Sequence, residues 1–155
     1  PGIPVAVVTH VETTLCESVK KKAAFLDAVV AELGLQVAVF AGRSEDLAKV
    51  ERARFRSVMA RAVSSLPSLV EMSAPLLQSG GRLFALKGAP ADDEIEESDV
   101  AARLCGMRRL ETRRYELTPS GERRCLVIYE RCGEPSIPLP RQPGMAHRQP
   151  LGKRA

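Results

Sequence analysis

Residues 57–88, SVMARAVSSLPSLVEMSAPLLQSGGRLFALKG, decide the fold. SVMARA is an apolar run of strand length, although Arg56 and Ser57 blur its start. Ser65 stands where a helix N-cap belongs. Pro67 follows in the first turn, where a missing amide proton is tolerated because those amides have no intrahelical partner. Leu66, Leu69, Val70 and Leu77 share one helical face, and Pro75 predicts a kink or an early end. Gly80-Gly81 then turn the chain into RLFALKG, whose apolar run suits a strand covered on both faces. Strand, helix and strand in such quick succession make a parallel βαβ unit.

The alternation continues on both sides. PGIPVAVVTH reads as a short helix entered through prolines, and TTLCES as a short strand ending in the acid Glu17. Ser18 is predicted to cap a helix running to Leu33, with Leu26, Val29, Val30 and Leu33 forming one stripe. Gly34 supplies the left-handed stop. QVAVF is a second strand that runs into the polar loop AGRSED, and the charged residues 47–56 read as a short helix. Downstream, DDEIEESDVAARLCG is a helix whose opening acids suit its dipole. RRLETRRYEL and RRCLVIYERC flank the turn TPSGE as an antiparallel pair. The reading is an α/β fold: residues 1–132 form a Rossmann-like domain with a mostly parallel sheet and an antiparallel C-terminal hairpin. Residues 133–155 form a basic Pro/Gly-rich tail, expected to be extended.

Composition narrows the function classes. With 45% apolar and 27% charged residues the chain matches an ordinary globular protein. No apolar run approaches the ~20 residues of a membrane span. The four cysteines show no CxxC spacing and there are two histidines, so no metal site is expected. Scattered unpaired cysteines fit a reducing, cytoplasmic setting. The charge is uneven. Residues 103–155 carry 12 Lys/Arg against 5 Asp/Glu, whereas residues 1–102 carry 11 against 14. That asymmetry fits either a polyanion partner, nucleic acid first, or an arginine-rich solvated strand face.

In such sheets ligands lie beyond the carboxyl ends of the strands, where strand order reverses. Glu17 ends the first strand, where an acid can accept ribose hydroxyls. Ser44 and Glu45 follow the second, where a loop can reach an adenine edge. Arg61 ends the third. It can hold a carboxylate in a bidentate fork, pair internally with Glu45 or Glu71, or face solvent, and spacing alone leaves these open. No Ser/His/Asp or Cys/His set is visible, which argues against a hydrolase and not against a group transfer that needs mainly positioning.

Taken together, PGIPVAVV, CESVKKKAAFLDAVVAELGL, GRSED, ARAVSSLPSLVEMSAPLLQSGGRLFALKG and the tail LPRQPGMAHRQPLGKR resemble the RsmG (glucose-inhibited division protein B) family over nearly the whole chain. The resemblance implies a class I S-adenosylmethionine-dependent methyltransferase fold that acts on N7 of a guanine in small-subunit ribosomal RNA, as a cytoplasmic monomer. It puts Glu17, Ser44, Glu45 and Arg61 at the cofactor, and Lys87, Arg141 and Arg148 towards the RNA or the ribosomal subunit. It assigns no catalytic base, since guanine N7 already carries a free lone pair. The family's glycine-rich loop, of the form DxGSGAGLPG, aligns so that it ends in Pro1-Gly2. The chain is therefore expected to be a C-terminal portion that lacks the first strand. Where the family tends to have Asp, this chain has Arg56 or Ser57. Two alternatives stay open: a non-catalytic RNA-binding remnant, and another nucleotide-binding Rossmann-like enzyme such as a dehydrogenase.

Overall fold

The structure is a computed structural model that describes residues 1–88 and 92–152, so the end of the basic tail, residues 153–155, lies outside the described residues. The elements follow the predicted order. They are α1 (Gly2–Thr9), β1 (Thr13–Glu17), α2 (Lys20–Glu32), β2 (Val37–Ala41), α3 (Ser44–Val50), β3 (Phe55–Arg61), α4 (Leu66–Ser73), β4 (Leu77–Lys87), α5 (Asp92–Leu104), β5 (Met107–Leu117), β6 (Glu122–Arg131) and α6 (Met145–Arg148).

Pro75 acts as a stop: α4 ends at Ser73, and Leu77 opens β4 instead of closing the helix. Ser18 does not cap α2. The carboxylate of Glu17 accepts the Val19 amide at 2.8 Å and fixes that turn. Gly34 is left-handed at φ 59, and the Leu35 amide reaches back to the Val30 carbonyl at 3.0 Å, which closes the helix end. The charged segment expected as a helix over 47–56 divides, because α3 starts earlier, at Ser44, and β3 already includes Arg56 and Ser57.

The strands form two sheets. β1 and β2 pair in parallel, and β3, β4, β6 and β5 follow in that spatial order. Within the larger sheet β3 and β4 are parallel, and β6 is antiparallel to both of its neighbours. Each of β1 and β3 has one edge without a strand partner. The two strands approach at their starts through Arg54, whose guanidinium bridges Glu51 and Glu12, each at 2.7 Å.

The core is lopsided. Leu66, Leu69, Val70, Leu77, Leu83, Met107, Val127 and Tyr129 pack α4 and α5 onto the larger sheet, with no buried member from before Ala60. In α2 only Ala23 is buried, and Phe25 is 66% exposed. The tail is docked, not extended: Leu139 is buried in the main core and Ile137 and Leu151 pack against it. Arg52 donates to the Leu139 carbonyl at 2.7 Å. Gly106 (φ 68) permits a close approach there, since a Cβ would collide with the backbone of Gly133 and Glu134.

Burial also sets how stability responds to alkali. It pushes the Cys105 thiol up to about 12 from an ordinary value near 9, and the Tyr129 phenol up to about 12 from near 10. Both groups ionise in the unfolded chain first. Their contribution is therefore intact below pH ~9 and is lost as pH climbs towards the folded values. The urea midpoint is expected to fall between pH 9 and 10.5. The slope attributable to Cys105 is about 1.4 kcal/mol per pH unit, and Cys105→Ala should flatten it. A midpoint independent of pH in wild type would contradict this.

Candidate active site at the carboxyl edge of the sheets

β1 and β3 begin beside one another, joined by the Arg54–Glu12 ion pair, and the carboxyl ends of these two strands are the candidate ligand position. Two candidate residues flank it. Glu17 ends β1 half-buried. Its Oε1 is taken by the Val19 amide, and Oε2 has no hydrogen bond among the described residues. Arg61 ends β3, exposed, and makes no ion pair or side-chain hydrogen bond with any described residue. Ala62 follows at φ 56, a left-handed turn that an alanine adopts only under strain, and no motif announces it.

The internal partners weighed for Arg61 are engaged elsewhere. Glu45 is 6% exposed; its Oε1 accepts the Gly144 amide at 2.7 Å and its Oε2 accepts the Ser44 hydroxyl at 3.0 Å. Glu71 is 3% exposed and takes Arg141 in a bidentate pair, from Nε at 2.6 Å and from an Nη at 2.5 Å. The salt-bridge reading of Arg61 is thereby excluded for both acids.

The same contacts show how the other expected site residues are engaged within the fold. The Glu45 side chain is tied to the Gly144 amide of the tail, and the Ser44 hydroxyl to Glu45. Glu45→Ala is expected to remove about 1–3 kcal/mol of stability by leaving the Gly144 amide unsatisfied, and thermal unfolding would detect it. Arg141 is an internal latch, and it also donates to the Gln149 carbonyl at 2.8 Å. Lys87 is a strut at the end of β4, with Nζ 2.9 Å from Glu94 and 3.2 Å from the Ser64 carbonyl, while Glu94 accepts the Leu66 amide at 2.8 Å. Of the three cations assigned to RNA, Arg148 alone is left exposed and unpaired among the described residues.

The tail lies across the carboxyl edge. It is tied to α3 through Glu45, and to α4 by the Ser68 hydroxyl on the Ala146 carbonyl at 2.7 Å. His147 Nδ1 lies 3.3 Å from the Ser64 hydroxyl. The hairpin arginines, by contrast, are compensated. Arg108 faces Glu130, Arg109 faces Asp99, Arg113 faces Glu111, Arg114 faces Asp92, Arg123 faces Glu116 and Arg124 faces Glu122. For the hairpin the solvated-face reading holds.

Two cavities of about 320 Å³ lie elsewhere. One is at the starts of β1 and β2, lined by Glu12, Thr14, Phe40 and Arg54, and the other is on the hairpin around Tyr115. Neither takes in Glu17, Glu45 or Arg61, because Glu17 and Arg61 stand on different sheets with unpartnered edges. Among the described residues no group of three or more His, Cys, Asp or Glu could hold a metal ion. For a sulfonium nucleoside with an amino-acid end the donor set is a partial fit. Glu17 suits a ribose diol and Arg61 a carboxylate.

Residues 1–123 match the family model for rRNA small subunit methyltransferase G. The chain belongs to that family. Curated relatives agree. Ribosomal RNA small subunit methyltransferase G of Streptococcus pyogenes serotype M49 (strain NZ131) is 36% identical over 155 residues, covering 97% of this chain and 65% of that protein. The protein of that name from serotype M1 matches to the same extent. The chain thus spans just under two thirds of the curated relatives' length. Solved structures show the fold. A SAM-dependent methyltransferase from Methanosarcina mazei superposes with TM-score 0.60 at 12% identity, over 79% of this chain and 83% of that one. A Burkholderia thailandensis 1,6-didemethyltoxoflavin-N1-methyltransferase does so with TM-score 0.55 at 11% identity, over 84% and 76%. The α/β sheet with its antiparallel hairpin is therefore a methyltransferase fold, and membership in the rRNA methyltransferase G family sets aside the dehydrogenase alternative.

Sequence reasoning missed Arg43. It precedes α3 beside the expected pair, and its guanidinium is exposed and free of partners among the described residues. The signal was present in GRSED, but the acids drew attention from the arginine.

Proposed function

We propose that the protein takes part in transfer of a methyl group from S-adenosylmethionine to N7 of a guanine in small-subunit ribosomal RNA, as a cytoplasmic monomer. The observation that carries the reading is Arg61, a guanidinium unpaired among the described residues at the carboxyl end of β3 in a chain of the rRNA methyltransferase G family. The cofactor supplies an electrophilic methyl group on sulfur. Glu17 would hold the ribose hydroxyls and Arg61 the carboxylate. The backbone around Ser44 and Glu45 would border the adenine, since the Glu45 carboxylate is engaged by the Gly144 amide and the Ser44 hydroxyl. The N7 lone pair needs no base, so the work left to the protein is alignment, which can supply about 7–11 kcal/mol of barrier reduction. The docked tail at the same edge suits an RNA partner, with Arg148 directed to it and Lys87 and Arg141 keeping the edge in shape.

The exposed guanidinium groups of Arg43 and Arg148, without an acid among the described residues, favour a second reading, RNA binding without catalysis. Titration with S-adenosylmethionine by calorimetry separates the two, followed by transfer of labelled methyl to small ribosomal subunits. Heat on titration together with label on the RNA supports the enzyme. Silence in both, with RNA binding retained, supports the remnant.

A further inference from the structure

Gly144 (φ 81) has two guanidinium groups above it. A Cβ placed there would lie 3.4 Å from an Nη of Arg148 and 3.7 Å from an Nη of Arg43. These arginines come from opposite parts of the chain, one from the loop after β2 and one from α6. Neither pairs with an acid among the described residues. The carboxylate of Glu45 accepts the Gly144 amide and forms an ion pair with neither. His147, beside Arg148, is turned to Ser64, and Asp46 is held by Lys49 at 2.6 Å. The two cations therefore converge with no ion pair to either among the described residues, whereas the paired arginines of the hairpin each have an acid. Like charges so placed repel, and an anion seated between them converts that repulsion into paired charge-assisted hydrogen bonds.

We propose that Arg43 and Arg148 form a cradle for one phosphodiester phosphate of a bound RNA strand. The inference rests on the RNA reading and not on methyl transfer. The glycine is part of the device: its φ of 81 sets the turn beside which both guanidinium groups lie, and its amide fixes the tail to Glu45. A strand gripped there runs along the carboxyl edge, on the same side as Glu17 and Arg61.

The test uses the whole chain without cofactor and a 16-nucleotide oligouridylate, read by fluorescence anisotropy. Because both arginines hold one phosphate, Arg43→Gln and Arg148→Gln should each weaken binding about tenfold, and the double variant by clearly less than the product. The salt slope should drop once, by about 0.7, in either variant. Gly144→Ala, with both arginines intact, should also weaken binding, with circular dichroism reporting that the fold is retained. Inorganic phosphate forms the second arm. Competition only at much higher concentration than the oligonucleotide supports an RNA backbone site. Wild-type affinity in the double variant, independent multiplicative losses, or phosphate binding that the substitutions abolish while RNA binding stays unchanged would overturn it. Failure of methyl transfer leaves these binding results untouched, so the two readings fail separately.

Discussion

Replacing Glu71 with alanine is expected to destabilise the fold by about 3–5 kcal/mol, the range for removing one partner of a buried ion pair. Glu71 lies on α4 at 3% exposure, and both of its oxygens are used by Arg141. The hydrogen bond from Arg141 to this carboxylate raises the arginine's pKa above its ordinary value, against the opposing effect of burial. Without Glu71 the guanidinium keeps only the Gln149 carbonyl. The tail loses its strongest tie to the helical layer, and Leu139 loses its anchor in the core. Arg141→Ala should do comparable harm from the other side by leaving a buried carboxylate bare. The double variant should lose less than the sum, since the second substitution removes the stranded charge. Urea unfolding of the four proteins measures the cycle. A loss under about 1 kcal/mol for Glu71→Ala would reduce the pair to a surface contact.

The order of elements was legible because it depends on local rules. Proline stopped α4, glycine stopped α2, and alternation of strand and helix fixed the parallel pairs β1–β2 and β3–β4. What could not be read was the direction of long side chains. Glu45 and Arg141 carry the right chemistry for a ligand and for RNA, yet each is bonded to a partner about 70 to 100 positions away. Spacing carries no information about such pairs, and the family likeness names positions without saying which face they turn. The arginine-rich hairpin misled in the opposite sense: its charge surplus in sequence is cancelled in space, partly by Asp92 and Asp99 on α5. The docked tail was missed because prolines and glycines predict irregularity, and an irregular segment can still be buried when side chains satisfy its backbone.

Arg61 separates stability from binding more cleanly than any other residue at the edge. It is exposed and makes no contact with a described partner, so Arg61→Ala should change folding stability by no more than about 0.5 kcal/mol. A bidentate, charge-assisted pair with a carboxylate contributes about 1.5–3 kcal/mol. The same substitution should therefore weaken S-adenosylmethionine about 30-fold, which corresponds to about 2 kcal/mol. Arg61→Lys keeps the charge but not the fork, and should recover only part of the loss. Calorimetry with parallel thermal unfolding distinguishes the outcomes. An unchanged dissociation constant returns Arg61 to solvent. A loss of affinity accompanied by an equal loss of stability makes it a structural residue whose partner lies outside those described. Only weak binding in a fully stable protein fits a guanidinium held ready for a ligand, and it would also explain why a strained Ala62 is kept beside it.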